Sequence, residues 1–198
     1  MVSFPPFLPS AKWMADYFGA LRSGTGNSEA MVKANSKITD HKEFARSNIR
    51  DTRGNIQVVS MAIAGGGRQL RNLSKMEGLY LSEHGDWRKN HLGTFEACLG
   101  KTPFYHHIEG ALKTIYENRD ATSLEHFNTA IFRELTSFLL GNEDSSSLKF
   151  DLYKNAVKAR GEEVAEGIDP DMTILQSLSV FGKETLLGLL ALESEKNF

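Results

Sequence analysis

The order in which two hydrophobic periodicities occur along the chain constrains its fold more than any other feature. In the second half of the sequence, apolar residues recur every three or four positions, and this spacing predicts helices near 87–99, 103–117 and 124–140. Residues 47–63 are rich in β-branched side chains around a polar, glycine-containing turn, which predicts a hairpin. Strands that come early and helices that come late indicate an α+β fold. We expect a small antiparallel sheet from the N-terminal half to pack with a mainly helical C-terminal half.

Weaker patterns predict the remaining elements. An aromatic face repeats along residues 10–21, which indicates a further helix. Short strands are predicted near 31–33 and 79–81, and a mostly polar helix near 151–165. Towards the C-terminus, the pattern predicts a helix over 174–181 and a last short helix over 183–192.

The composition is that of a globular protein with its own core. The chain has 198 residues, 40% of them hydrophobic, and area scaling at this size allows about 70% of the extended surface to be buried. With no internal repeat and no linker, we expect a single domain over residues 1–198.

The one cysteine, Cys98, excludes an intrachain disulfide and a cysteine-based zinc site, and it suits a reducing cytoplasm. A signal peptide is not expected, because the N-terminal segment lacks a basic region and prolines interrupt its apolar run. A membrane span is not expected, because no apolar run approaches the roughly 20 residues that a span needs.

Charge is distributed unevenly along the chain, although the net charge is only −2. Residues 1–100 contain 13 Lys and Arg against 9 Asp and Glu, whereas residues 101–198 contain 10 against 16. The acidic second half argues against a nucleic-acid binder, and the basic first half favours a small anionic ligand. The basic stretch consists of Arg46, Arg50, Arg53, Arg68 and Arg71. Guanidinium groups that project from one sheet region would bind carboxylate or phosphate, and solvated charge that flanks the strands is the alternative.

Two conspicuous patterns do not predict a nucleotide loop or a metal site. Gly65-Gly66-Gly67 lacks the spacing of a phosphate-binding loop and is expected to connect strands. His106 and His107 are adjacent, and neighbouring helical residues diverge by about 100°, so they are not expected to ligate one metal ion. We therefore predict no metal site and no cofactor.

Trp87 and His91 are the strongest candidates for chemistry. On a helix they lie one turn apart and share a face, while Arg88 and Lys89 are expected to point elsewhere. A partly buried imidazole beside aromatic rings can serve as a tuned general acid or base. The alternative is a core histidine whose hydrogen bonds are satisfied within the protein.

Two linked segments resemble the WbqC-like protein family. Gly85-Asp86-Trp87-Arg88-Lys89-Asn90-His91 is followed by Leu99-Gly100-Lys101-Thr102-Pro103-Phe104-Tyr105. The family is characterised by a Trp-x-x-x-His helix that runs into an aromatic-Gly-Lys-Ser-Pro-aromatic-aromatic segment. Further stretches that agree in order are Phe4-Pro5-Pro6, Arg46–Ile49 with Arg53-Gly54-Asn55, Asp169–Leu175 and Gly182–Leu192.

The sequence also departs from the family pattern. Ala45-Arg46-Ser47 stands where the family has Asn-Arg-Cys, so no role for that cysteine carries over. Leu99 stands in place of the aromatic before Gly-Lys, and Leu92 in place of an aromatic after the histidine.

The resemblance implies an aminoacyl (glycine) transferase that acts on a sugar or nucleotide sugar in bacterial polysaccharide biosynthesis. An amide-forming enzyme needs a base, an anion-binding surface and positioning aromatics. His91 and Lys101 are accordingly the expected catalytic residues. The expected substrate-binding residues are Arg46, Trp87, Arg68 and Arg71. The alternative is a non-catalytic binding or assembly protein that recognises an anionic carbohydrate or nucleotide through the basic stretch.

Overall fold

The computed structural model of the chain describes residues 2–71, 76, 78–140, 169 and 171–196. These residues form six α-helices, a two-stranded antiparallel sheet and two 3₁₀ turns, which confirms the predicted α+β class. In chain order the elements are α1 (Ala11–Arg22), α2 (Asn27–Asn35), a first 3₁₀ turn (His41–Phe44), β1 (Arg46–Arg50), β2 (Ile56–Ser60), a second 3₁₀ turn (Gly67–Arg71), α3 (Trp87–Leu99), α4 (Tyr105–Glu117), α5 (Leu124–Leu140) and α6 (Ile174–Lys196).

The predicted hairpin is formed by β1 and β2, which pair in antiparallel register from Arg46 opposite Ser60 to Arg50 opposite Ile56. The Asp51 carboxylate closes the turn by accepting hydrogen bonds from two backbone N–H groups, at 2.8 and 2.9 Å. Because side chains alternate between the faces of a strand, Arg46 and Arg50 project from the face opposite the core.

The helices enclose the core as their apolar spacing predicts. α1 packs on both α2 and α6, and α5 packs between α4 and α6. The chain before α1 pairs with the chain before α6. Ala11 N–H donates to the Met172 carbonyl at 2.8 Å, and Ile174 N–H donates to the Pro9 carbonyl at 2.7 Å. Segments more than 160 positions apart in sequence therefore form one side of the molecule.

Two buried amides fix the N-terminal segment. Asn35 Nδ2 donates to the Phe4 carbonyl at 2.9 Å. Asn128 Nδ2 donates to the carbonyls of Pro5 at 3.0 Å and Phe44 at 2.8 Å. Since these backbone groups would otherwise be buried without partners, both side chains hold the N-terminal segment in place, and Asn128 also joins it to the first 3₁₀ turn at Phe44.

Two of the weaker predictions were wrong or incomplete. Residues 31–33 lie inside α2 rather than in a strand, because Ala30 and Ala34 are buried on α1 and most residues between them favour helix. Residues 79–81 form only single bridges, from Leu81 to Ile63 and from Tyr80 to Ser123. The predicted helix near 151–165 lies outside the described residues.

The C-terminal helical region is interrupted where the sequence predicts, at Gly182. This residue has a φ of 71°, and a Cβ there would lie 3.0 Å from the Phe104 ring. Phe104 N–H donates to the Ser179 carbonyl at 3.0 Å, so the segment before α4 docks into the kink. Among the helices of the described chain, none is long and apolar enough to cross a bilayer.

Candidate anion-binding site

A cavity of about 580 Å³ collects the arginines that the sequence marks as substrate-binding. Arg46 from β1 lines it together with Arg68 and Arg71 from the second 3₁₀ turn. We call it the basic cavity. Its other lining residues are Thr39, Asp40, His41, Lys42, Ala45, Ser60, Met61, Ile63, Gly67 and Leu70. Among the described lining residues, four Lys and Arg side chains stand against a single carboxylate, so the charge of the cavity is complementary to an anion.

None of the three arginines is neutralised by another side chain within the described part of the chain. Arg46, Arg68 and Arg71 are exposed and form no ion pair there. Arg50, on the same strand as Arg46, differs, because its Nε lies 4.0 Å from the Asp169 carboxylate. Guanidinium groups without partners that converge on one cavity can form bidentate pairs with a carboxylate or phosphate ligand.

Two short 3₁₀ turns hold the cationic side chains at the cavity. Asp40 caps the first turn, His41–Phe44, by accepting a backbone N–H at 3.0 Å. The second turn begins directly after Gly65 and Gly66, whose φ values of 79° and 85° belong to the left-handed region that favours glycine. The triple glycine therefore leads into a 3₁₀ turn rather than connecting two strands as predicted, and it places Arg68 on the rim.

The basic cavity also has an apolar side. Ala45, Met61, Ile63 and Leu70 line it and are buried in the core cluster. A cationic rim above an apolar floor fits a ligand that carries both a charged group and an apolar group, since pockets typically combine apolar walls with few polar anchors.

His91 lies behind this cavity rather than in it. Its side chain is only 3% exposed, and Nε2 lies 3.0 Å from the Ser60 carbonyl oxygen. Because a carbonyl only accepts, Nε2 carries the proton, and Nδ1 accepts from the Tyr116 hydroxyl at 3.2 Å. Burial lowers the pKa of His91 to about 4, so the imidazole is neutral near pH 7 with both nitrogens engaged.

Trp87 and Arg88 are likewise bonded to backbone carbonyls. Trp87 Nε1 donates to the Ser82 carbonyl at 2.9 Å. Arg88 is 4% exposed, which corrects the expectation that it points away, and its guanidinium donates to the carbonyls of Tyr116, Asn118 and Ala121. The sequence pattern did not predict this role. Helical spacing shows that Arg88 and Trp87 lie on different faces of α3, but it does not show that both faces pack against the rest of the protein.

Lys101 is exposed beyond the C-terminal end of α3. The eight-residue rise from His91 to Leu99 alone is about 12 Å along the helix axis. The structure therefore does not bring Lys101 to His91, and neither residue lines the basic cavity. Trp87 is absent from that lining as well, so only the arginines of the predicted set meet there.

A groove of about 450 Å³ adjoins the basic cavity and shares Asp40, Lys42 and Arg46 with it. Glu43 and Asp171 also line this groove. Burial, followed by the charges of Asp40 and Asp171, raises the pKa of Glu43 above its ordinary value. Arg46 therefore stands between a cationic cavity and a groove of mixed charge.

A larger cavity of about 870 Å³ lies between the hairpin turn and the two helices α3 and α4. Its charges balance, because Asp51, Glu96 and Glu109 face Arg53, Lys89 and Lys113, and Lys113 Nζ is paired with Glu109 at 2.6 Å. It contains none of the predicted site residues. The basic cavity is therefore the better candidate for binding an anion.

Comparison with known proteins supports the resemblance drawn from the motifs. The model of the WbqC-like protein family matches residues 16–160, which is more than half of the chain. No curated protein and no solved structure gives a significant match. The matched range contains the basic cavity and the Trp-x-x-x-His helix.

Proposed function

The chain belongs to the WbqC-like protein family, and we propose that it binds an anionic small molecule in the basic cavity. One observation carries this proposal: Arg46, Arg68 and Arg71 converge on the cavity and have no carboxylate partner among the described residues. The rival role for Arg46, an internal ion pair with Asp40, Glu43 or Asp51, has no support in the ion pairs of the structure.

The ligand we propose is a phosphate-bearing organic molecule such as a nucleotide sugar. The cationic rim would hold its phosphate groups, and the apolar floor of Met61, Ile63 and Leu70 would contact an apolar ring. A simple inorganic anion would contact only the cationic rim. We place this function in the cytoplasm, which the single, buried thiol of Cys98 supports.

The test is isothermal titration of the full chain with uridine diphosphate glucose and with inorganic pyrophosphate. Lysine reproduces a bidentate guanidinium contact poorly, so Arg46→Lys should weaken binding by about 1.5–3 kcal/mol. The matched control is Arg53→Lys on the same hairpin, which lies outside the basic cavity and should leave affinity unchanged. If Arg46→Lys shifts unfolding but leaves the affinity for both probes unchanged, Arg46 is structural and the proposal is wrong.

Aminoacyl (glycine) transfer to an amine of the bound molecule is a second candidate, which the position of His41 favours. In this reaction an amine nitrogen attacks the carbonyl carbon of an activated glycine, and the bond from that carbon to its leaving group breaks. The leaving group takes the electron pair, and the amine gives up a proton to a base. His41 lines the basic cavity, whereas both ring nitrogens of His91 are occupied.

The two candidates separate in one comparison. If the chain is a transferase, His41→Asn abolishes amide formation while the dissociation constant for pyrophosphate stays within about threefold. His126→Asn, on an exposed site at the start of α5, is the control that should change neither quantity. If purified protein forms no amide from an activated glycine and an amino-sugar nucleotide, binding alone remains.

A further inference from the structure

We propose that Trp87 and His91 are positioning residues, which hold the Ser60–Ile63 wall of the basic cavity through hydrogen bonds to backbone carbonyls. The inference rests on the proposed binding function, because it assigns these two side chains a role at that same cavity. It gives the Trp-x-x-x-His motif a task other than catalysis.

The first contact acts directly on the wall. His91 Nε2–H donates to the Ser60 carbonyl at 3.0 Å, and Ser60 lines the cavity. In the hairpin register, Ser60 is the residue directly opposite Arg46. The imidazole therefore fixes the strand position that faces the central arginine of the site.

The second contact acts on the chain that supports the wall from behind. Trp87 Nε1–H donates to the Ser82 carbonyl at 2.9 Å. Ser82 in turn donates its own N–H to the Ala62 carbonyl at 2.7 Å, and the next residue, Ile63, bridges to Leu81. Trp87 thus fixes the short stretch that pairs with residues 62–63, and Ile63 belongs to the cavity floor.

Packing alone does not account for an imidazole at this position. The ring lies among Phe7, Trp87, Phe95 and Tyr116, where an apolar side chain would fill the space without the desolvation that the imidazole suffers. What the imidazole adds is two directed hydrogen bonds, one of which ends on the cavity wall. Phe95, on the same helix, is fully buried and lacks such a bond, so it is the natural control.

Two measurements test the inference on three variants and, in addition, on Trp87→Phe. The variants are His91→Leu, which removes the hydrogen bond, His91→Gln, whose amide can restore a donor near the Nε2 position, and Phe95→Leu. The measurements are hydrogen exchange of peptides that cover residues 60–64, and titration with inorganic pyrophosphate well below the melting temperature. Trp87→Phe, which keeps most of the ring and removes its N–H, is examined in the same way.

If the inference holds, His91→Leu accelerates exchange of the 60–64 amides and weakens pyrophosphate binding, each by about tenfold, the size expected for one lost buried hydrogen bond. His91→Gln restores both quantities to within about threefold, and Trp87→Phe shows a smaller change in the same direction. Phe95→Leu destabilises the fold but leaves both within about twofold of the original protein.

Two results would contradict the inference. If Phe95→Leu and His91→Leu have the same effects, or if His91→Leu leaves exchange at 60–64 unchanged, the two residues merely stabilise the core and the inference is wrong. If the original protein binds neither pyrophosphate nor uridine diphosphate glucose, the proposed function is wrong. The exchange measurement then still shows whether His91 and Trp87 hold the cavity wall.

Discussion

Arginine side chains occur both in the interior around His91 and on the rim of the basic cavity. An arginine in the interior is buried and hydrogen-bonded, whereas those on the rim are exposed to solvent. In the interior, Arg88 and His91 are almost fully buried, and their hydrogen-bonding groups end on backbone carbonyls, on Glu83 or on the Tyr116 hydroxyl. On the rim, Arg46 and Arg71 are exposed and have no ion-pair partner among the described residues. Groups that are satisfied within the protein stabilise it, whereas unpaired groups around a cavity remain available to a ligand.

This contrast assigns the family motif and the basic stretch to different tasks. Trp87 and His91 of the Trp-x-x-x-His helix bond to the carbonyls of Ser82 and Ser60, whereas the arginines around the cavity are exposed to solvent. Substitutions in the interior should therefore lower the free energy of unfolding, and those at His91 should also weaken ligand binding through the cavity wall. Substitutions on the rim should act mainly on ligand affinity. An interior variant that changed only affinity, or a rim variant that changed only unfolding, would break the contrast.

The largest effect is expected for Arg88→Ala. The substitution leaves the carbonyls of Tyr116, Asn118 and Ala121 without their donor and removes the cation that lies 4.7 Å from the centre of the Trp87 ring. We expect a loss of about 3 kcal/mol in the free energy of unfolding, measured by urea denaturation. The same change on the rim, Arg68→Ala, should cost about 0.5 kcal/mol or less. Equal losses for the two variants would show that the rim arginine is also a structural residue.

The second prediction concerns pH and His91. Burial lowers the pKa of His91 in the folded state to about 4, below its ordinary value of 6.5. Between these two values the unfolded chain binds the extra proton and the folded chain does not, so stability falls as the pH falls. The contribution lost on going from pH 7 to pH 4 is about 3 kcal/mol. Within the described part of the chain, the titratable group in ring contact with the imidazole is the Tyr116 hydroxyl, and burial raises its pKa well above the ordinary value of 10.

The measurement is urea unfolding of the original protein and of His91→Gln at several values between pH 4 and pH 7. Carboxylates that titrate in this range are common to both proteins, so the difference between the two isolates His91. At pH 7 the original protein should hold its greatest advantage over the variant, and that advantage should shrink towards pH 4. A difference that is independent of pH would mean that the imidazole titrates normally and is accessible to water.

The sequence predicted long, regular elements better than it predicted the surroundings of single side chains. The hairpin and the helices α3, α4 and α5 were correct, because strong periodicity over many residues reports which face is buried. The helix α2 was missed, because nine residues with two buried alanines carry little periodic signal.

At the candidate site, too, the sequence predicted the position of the arginines better than the surroundings of the histidine. Arg46, Arg68 and Arg71 could be grouped from the sequence, because a hairpin and a glycine connection bring them to one region. Helical spacing correctly placed His91 on the inner face of α3. It could not show whether a cavity or the Ser60 carbonyl lies against that face, since this depends on contacts between residues 31 positions apart.

The smallest predicted effect gives the most direct test of whether the rim arginines are unpaired. Neutralising one of several like charges around a cavity relieves repulsion, so Arg71→Gln should raise the free energy of unfolding by a few tenths of a kcal/mol, on the order of a surface interaction. This gain should disappear in about 1 M salt, where the screening length is about 3 Å. Arg50→Gln is the matched control with the opposite sign, because Arg50 lies 4.0 Å from the Asp169 carboxylate and its loss should slightly destabilise the protein. Thermal unfolding of both variants at low and high salt measures the difference. If Arg71→Gln destabilises the protein at low salt as Arg50→Gln does, Arg71 has a carboxylate partner, and the rim is less available to a ligand than we propose.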